Sequence, residues 1–552
     1  MTKTRTLLIA CWIGLVGAAS GQSFTTSTLP IVIINTNGQA IPNDPKIIAD
    51  MGIIDNGPGR LNRVTDPQNN YSGKIGIEMR GSSSQFFFPK KSYSLETRSS
   101  SNTNENRNVS LLGMPVENDW ILYAPYTDKT MIRDVLSYHI AQRMGWYASR
   151  FRYCEVVLNG SYQGVYVLLE RIKRDKNRVN IAELKPEDNA GDQLTGGYIL
   201  KVDRVNPATE ASFVSRQKPP GSRVGLTITF AIHEPKRHTV PRTDDITPAQ
   251  LSYIQNYVHT FEATLAGNDF ADPDRGYRRY INPSSFVDYF LLTETVHNID
   301  GYRLSAFLYK DRDSKGGRLV AGPAWDYNLT MGNANYCGGE RIDQWTYNFN
   351  YVCGQDGFQL PFWWERLLQD RVFANDVKCR WTNLRKGILH ADSLTRFIDS
   401  VANMLQEPQQ RNYQRWPILN QYVWPNAKVT GSYTGELDYM KIWLQARLLW
   451  LDANMRGSCD VLAAENPYAK TLARVYPNPA AGRTVYAGFD NLPGGTPFTT
   501  DIYDRLGRKV SAQSWTWRNE PVVLPVESLP GGVYVVRFST RGRLLGTQKL
   551  VK

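Results

Sequence analysis

Apolar and polar residues alternate in short runs through the first third of the chain. In GKIGIEMRGSSSQFFFPKKSYSLETR the alternation carries Ile75, Ile77 and Met79, breaks at RGSSSQ and resumes at Tyr93 and Leu95, which predicts a strand, a loop and a second strand. The upstream segment LPIVIINTNGQAIPNDPKIIADMGIIDNG is a β-rich entry of branched runs broken by Asn, Gly and Pro. FRYCEVVLNGSYQGVYVLLERI alternates on both sides of Asn159-Gly160, a hairpin signal. The period then changes. DKTMIRDVLSYHIAQRMG places Met131, Ile132, Val135, Leu136, Ile140 and Met144 on one helical face, with Asp128 as cap and Gly145 at the exit. PSSFVDYFLLTETVHN, LPFWWERLLQDRVFANDVKCRWTNLRKGIL and TGELDYMKIWLQARLLWLDANM predict further helices, the last two long. After AAENPYAKTLARV, short alternating strands separated by turn residues return, the spacing of a small β-sandwich. The predicted architecture is α+β: a domain over 24–460 with a mixed β half and a helical half, a linker at 461–470, and an all-β sandwich over 471–552.

The first residues, MTKTRTLLIACWIGLVGAASGQSF, set Lys3 and Arg5 before an apolar run from Leu7 to Ala19 and small residues, so residues 1–21 are expected to be a secretory signal peptide cleaved after Gly21. No later stretch is long and apolar enough for a membrane-spanning helix, so none is expected after signal removal. Export changes the reading of the cysteines. Beyond Cys11 there are Cys154, Cys337, Cys353, Cys379 and Cys459, for which the pairs 337–353 and 379–459 are expected, with Cys154 buried in its strand. No CxxC spacing supports zinc, and His233 and His238 are expected in a surface loop. The formal charge of +12 suggests nucleic acid, but residues 471–552 hold 11 Lys+Arg against 5 Asp+Glu, half the excess; the rest of the chain is only mildly basic, and no nucleic-acid partner is expected. With 41 % hydrophobic residues, the chain can bury a sizeable core.

Candidate chemistry centres on NIDGYRLSAFLYKDRDSKGGRLVAGPAWDYN. Two strand-length runs joined by RDSKGG predict a hairpin whose ends meet, so Asp300 before it and Asp326 after it are expected to face one site. Two close carboxylates need a shared proton or a cation. An aspartate, a short hairpin and a metal-binding aspartate is the arrangement of protein kinases, in which a magnesium-binding Asn stands five positions after the first Asp. Ser305 occupies that position here, so Asn298 and Asn328 are the amide candidates for metal. Phosphate charge calls for cations near a backbone loop: Arg80 and Lys91 are the candidates, Lys91 sharing strand parity with Tyr93 and Leu95 while Lys90 faces solvent. Glu170, ending GVYVLLE, is a candidate ion-pair partner for Lys91, and Lys129 and Arg133 either reach a phosphate or face solvent.

The blocks IEMRGSSSQFFFPKKSYSLE, NDWILYAPYTDKTMIRDVLSYHIAQRMG, EVVLNGSYQGVYVLLERIK, GGYILKVD and NIDGYRLSAFLYKD with WDYNLTMGN, over about residues 70 to 335, resemble in order the spore-coat kinase family CotH. That resemblance implies an atypical protein-kinase fold using ATP and Mg²⁺ or Mn²⁺ to phosphorylate serine or threonine of a protein substrate. It matches Asp300 to the catalytic aspartate and Asp326 to the metal-binding one. RGSSSQ departs from the pattern of a kinase phosphate loop, lacking its spaced glycines. VYPNPAAG, DIYDRLGRKV, LPGGVYVVRF and QKLVK resemble the C-terminal sorting domain of Bacteroidetes proteins exported by the type IX secretion system, which implies that machinery as a partner and a secreted or cell-surface destination through the periplasm. Because ATP is scarce outside cells, the alternative is a non-catalytic structural or adhesive surface protein on the same fold. A third reading, a polysaccharide enzyme, would use Trp325, Tyr327 and Tyr302 to stack a sugar.

Overall fold

A computed structural model describes residues 24–207, 210–236, 245–459, 472–480, 484–505, 507–540 and 543–552. The expected signal peptide, the expected linker and His238 lie outside these residues. The chain divides into two compact bodies: Met1–Leu367 with Asn383–Asn454, and Leu368–Thr382 with Met455–Lys552.

The β half of the first body closes on itself. Strands β1 (Ile31–Asn35), β2 (Ile47–Ile54), β3 (Tyr71–Arg80), β4 (Ser92–Thr97), β5 (Asp119–Tyr123), β6 (Phe151–Leu158) and β7 (Ser161–Glu170) form a barrel in the order β1-β2-β3-β4-β5-β7-β6. Every neighbour is antiparallel except β1 and β6, which run parallel from Ile31↔Glu155 to Ile34↔Leu158 and seal the barrel. The alternating residues read from the sequence fill its interior: Ile75, Ile77 and Leu95 pack with Val32, Ile53, Trp120 and Leu168, and Cys154 is buried among them as a free thiol. Asn159 (φ 49°) and Gly160 (φ 76°) make the left-handed hairpin turn between β6 and β7.

A second, five-stranded antiparallel sheet comprises β8 (Tyr198–Val202), β9 (Ser212–Val214), β10 (Thr229–Glu234), β11 (Ala306–Lys310) and β12 (Leu319–Ala321) in the order β9-β10-β8-β11-β12. β11 and β12 are the expected hairpin, registered Leu308↔Ala321 to Lys310↔Leu319. His233 lies on β10 rather than in a surface loop, its Nε2 paired with the Ile172 carbonyl at 2.9 Å; burial and the neighbouring Arg171 push it down to about 3, so it is neutral.

Helices α1 (Arg133–Arg143), α2 (Pro248–Ala266), α3 (Pro283–Val296), α4 (Pro408–Arg415) and α5 (Tyr433–Asn454) complete the frame, α3 packing against both α1 and α5. Asp128 does hold the start of α1, its Oδ2 accepting from the Arg133 N–H at 2.8 Å. α3 starts at Asn282, whose side chain accepts from the Ser285 N–H, and Pro283 occupies the first turn, where a missing N–H costs nothing. α4 lies so close to β7 that a Cβ on Gly164 (φ 98°) would stand 2.5 Å from the Asn412 Oδ1. The long helix expected after Leu360 is broken into Trp363–Leu367 and Arg371–Arg385, because Asp370 accepts from the Val372 N–H and starts a new helix.

In the second body, strands Leu472–Tyr476, Val485–Asp490 and Val522–Leu524 make one antiparallel sheet and Pro497–Tyr503, Lys509–Thr516, Val533–Thr540 and Arg543–Val551 another. Phe489 from the first and Phe498 and Phe538 from the second share one core, so the expected all-β C-terminal region forms. Both expected disulfides are present, Cys337–Cys353 in the first body and Cys379–Cys459 in the second.

Candidate functional site

α3 ends abruptly because His297 turns left-handed (φ 47°), held by its ring nitrogens at the Gly338 carbonyl and the Thr346 hydroxyl, 3.1 Å each. The chain then coils through Asn298–Ser305 before entering β11. Buried Asn298 accepts the Asp300 N–H at 3.2 Å, which orients the following turn. The Asp300 Oδ1 accepts from Arg303 Nη2 at 2.6 Å and from the Tyr336 hydroxyl at 2.9 Å. Arg303 is itself buried, paired also with Asp356 and lying over the Phe349 ring at 4.0 Å, so its guanidinium is a fixed post for Asp300.

On the other arm, β12 leads through Trp325 to Asp326, again left-handed (φ 63°). This backbone is pinned from α1: the Asp326 N–H donates to the Tyr138 hydroxyl at 3.2 Å, and the Tyr327 N–H donates to the Asp134 Oδ1 at 2.7 Å. The Asp326 side chain is exposed to solvent, yet its environment raises it from 3.8 to about 7: first loss of hydration among surrounding protein, then repulsion by Asp134, Asp300 and Asp203, partly offset by Arg80. Behind it, buried Asp134 is raised to about 6, chiefly by desolvation.

Arg80 ends β3 with its guanidinium over the Trp325 ring at 5.3 Å. Burial, then repulsion from Arg171, lowers it to about 10, while Asp326 pulls the other way. The structure thus brings Asp300 and Arg80 within electrostatic reach of Asp326, with Asn298 holding the Asp300 main chain. Asn328 follows two residues after Asp326, half-buried, its main-chain carbonyl accepting from Asn333 Nδ2 at 2.9 Å.

The remaining candidates are placed differently. Lys91 Nζ donates to the carbonyls of Gln85 and Phe88 at 2.6 Å each, tying down the loop after Arg80. Lys90 does not face solvent: it is buried, donates to the Val165 carbonyl (2.6 Å) and Asn412 Oδ1 (2.9 Å), and is lowered to about 7 by desolvation. Strand parity misled here because α4 covers what would be the outer face. Glu170 is fully buried and pairs with Arg150 Nη1 at 2.9 Å instead of with Lys91. Lys129 and Arg133 do not face solvent: both are buried, Lys129 on the Gln421 carbonyl and Arg133 on Asp128 at 2.6 Å.

Sequence reasoning gave no role to Asp203, Asp134 or Tyr336. Asp203 carried a signal, a carboxylate closing the alternation of GGYILKVD; Asp134 and Tyr336 carried none, since their parts depend on which helix and loop the fold sets against the hairpin. Among the described residues no three His, Cys, Asp or Glu side chains converge tightly enough to cage a metal ion. A carboxylate such as Asp326, open to water and repelled by neighbouring carboxylates, does suit a cation that takes its remaining ligands from phosphate oxygens or water, as Mg²⁺ does.

Both arms of the site fall within one family match. Residues 77–451 match the family described as CotH kinase protein, and residues 474–552 match the secretion system C-terminal sorting domain. No curated protein matches the chain. No described helix is long and apolar enough to cross a membrane. Since its match covers well over half of the sequence, the chain belongs to the CotH family, and its type IX sorting domain makes it a secreted or cell-surface protein.

Proposed function

We propose that this chain is an exported protein kinase with an atypical kinase-like first body, transferring the γ-phosphate of ATP to serine or threonine hydroxyls of a protein substrate with Mg²⁺ or Mn²⁺. The observation that carries the reading is the raised Asp326, crowded by Asp134, Asp300 and Asp203 and countered nearby by Arg80. Asp300 is paired with Arg303 and Asp203 with Lys201, which leaves Asp326, among the described residues, without an ion-pair partner; a divalent cation bound to ATP phosphates would supply that positive charge together with neutralisation of the transferring group. Asp326 would hold that cation, with Asn298 or Asn328 as amide ligand. Asp300, anchored by Arg303 and Tyr336 on one oxygen, has its other oxygen for the acceptor hydroxyl, which it would orient and deprotonate. Arg80, stacked on Trp325, would meet phosphate oxygens, a role its fork geometry suits. Lys91 serves the loop rather than the phosphates in this arrangement.

The test is a calorimetric titration of ATP, with and without Mg²⁺ or Mn²⁺, into the full chain and into Asp326→Ala. Metal-dependent binding that disappears in the variant is the expected result. Absence of binding under either metal would sink the kinase reading and favour a structural or adhesive surface protein.

A further inference from the structure

The short helix Ser83–Phe87, three residues past Arg80, turns two rings outward: Phe86 is 85 % and Phe87 54 % exposed. The loop's backbone is nevertheless held by Lys91, bonded to the carbonyls of Gln85 and Phe88, so the rings project from a fixed base. Phe87 meets Trp424, itself 47 % exposed, at 5.2 Å between centroids, and Trp424 lies parallel to Tyr336 at 6.3 Å and 9°. Tyr336 then hydrogen-bonds Asp300 at 2.9 Å. An aromatic path therefore runs along the surface from the loop beside Arg80 to the carboxylate assigned to the acceptor hydroxyl.

We propose that this platform docks the acceptor polypeptide, taking an aromatic or large apolar side chain that flanks its serine or threonine; the proposal rests on the kinase reading and names its substrate class. Three observations select that occupant. Contiguous exposed rings are uncommon on a soluble surface and mark contact sites. Their mutual geometry, 86° between Phe86 and Phe87 and 43° between Phe87 and Trp424, sets ring edges against ring faces, the arrangement in which a further aromatic side chain packs. The three exposed side chains, Phe86, Phe87 and Trp424, are all aromatic, so apolar contact is what the platform offers. Its end at Asp300 sets the spacing: one ring and one hydrogen bond separate Trp424 from Asp300, a span of roughly three residues of extended chain at about 3.3–3.6 Å each.

The test uses fluorescein-labelled neutral peptides carrying one serine and a phenylalanine scanned along the sequence, read by anisotropy with the full chain, against the same peptide with alanine. Phenylalanine about three residues from the serine is expected to tighten binding by roughly tenfold, about 1.4 kcal/mol. Trp424→Ala and Phe87→Ala should each remove most of that gain, with unchanged melting as the fold control. Equal binding of the Phe and Ala peptides, no binding of any peptide, or a preference that survives both variants overturns the proposal. So does binding to neutral phosphatidylcholine vesicles, or self-association, that depends on these rings without any peptide preference. ATP titration of the same samples separates the two readings: an aromatic preference without nucleotide binding upholds the docking surface and refutes the kinase, and nucleotide binding without the preference refutes the platform alone.

Discussion

Replacing Asp326 by Asn should stabilise the first body, and the gain should grow with pH. Asn keeps the shape of the side chain and tolerates the left-handed backbone at this position (φ 63°), so the substitution chiefly removes charge. In the folded protein the carboxyl is raised from 3.8 to about 7, chiefly by loss of hydration and by Asp134, Asp300 and Asp203. Below the unfolded value both states hold the proton and the group is neutral in the balance. As pH rises from about 4 towards 7, the unfolded chain releases the proton while the folded chain keeps it, so the wild type loses stability progressively, and above 7 the loss is complete. A displacement of that size corresponds to at most about 4 kcal/mol; because the carboxylate is open to water, solvent screening reduces the expected figure to about 1–2 kcal/mol. Urea unfolding at pH 3.5 and pH 8 should therefore show Asp326→Asn ahead by about that amount at pH 8 and by much less at pH 3.5. Mg²⁺ with ATP should reverse the order at pH 8, stabilising the wild type and leaving the variant unmoved. A gain of equal size at both pH values, or a variant less stable than wild type at pH 8, would refute the electrostatic account of the site.

Two further outcomes follow from the same geometry. Arg80→Ala should weaken metal-dependent ATP binding by roughly tenfold to a hundredfold, the worth of one charge-assisted contact of about 1.5–3 kcal/mol, and calorimetry at matched salt measures it; affinity unchanged within twofold would remove Arg80 from the phosphate site. Arg447→Met should destabilise the first body by about 3–5 kcal/mol, since it removes the donors to the buried Glu294, Ile342 and Gln344 carbonyls as well as the cation beside the Glu294 carboxylate. Because Glu294 already sits at about 7, mainly through burial, the variant's deficit should shrink when unfolding is measured near pH 5, where the carboxyl is protonated; a deficit independent of pH contradicts that assignment.

Much of this fold was legible because it is written in periods. The alternation through Ile75, Ile77 and Leu95, the Asn159-Gly160 turn, the hairpin of β11 and β12 and the helix opened by Asn282-Pro283 each follow from local chemistry. Closure of the barrel was not legible, because the parallel pairing of β1 with β6 joins segments 124 residues apart that carry no mutual signal. The same limit governs the site. Asp300 and Asp326 could be brought together on paper because a short hairpin links them. Asp134 and Tyr336 could not, since they arrive from α1 and from a loop beyond the hairpin. Lys90, Lys129 and Arg133 show the converse error: long cations read as solvent-facing or ligand-seeking are buried on carbonyls and on Asp128 by α4, by the segment at Gln421 and by the turn before α1.

The site concentrates two kinds of cost, and the scaffold shows how both are borne. His297, Tyr302, Ser305, Asp326 and Met331 all adopt the left-handed backbone within one stretch of chain, a conformation that disfavours bulky side chains, and that stretch also holds two of the crowding carboxylates. Each arm is fixed from outside itself. Buried Arg447 donates to the Glu294 carbonyl and to those of Ile342 and Gln344, while the Glu294 carboxylate accepts the N–H groups of Thr346 and Tyr347. That clamp holds the last turn of α3 immediately ahead of Asn298 and Asp300. On the other arm, Tyr138 and Asp134 of α1 hold the main chain at Asp326 and Tyr327. Backbone strain and like-charge repulsion persist together only where neighbouring elements over-determine the geometry. Neither clamp uses Asp326's carboxylate or the second oxygen of Asp300, so the groups left over by the scaffold are the ones a cation and an acceptor hydroxyl would engage.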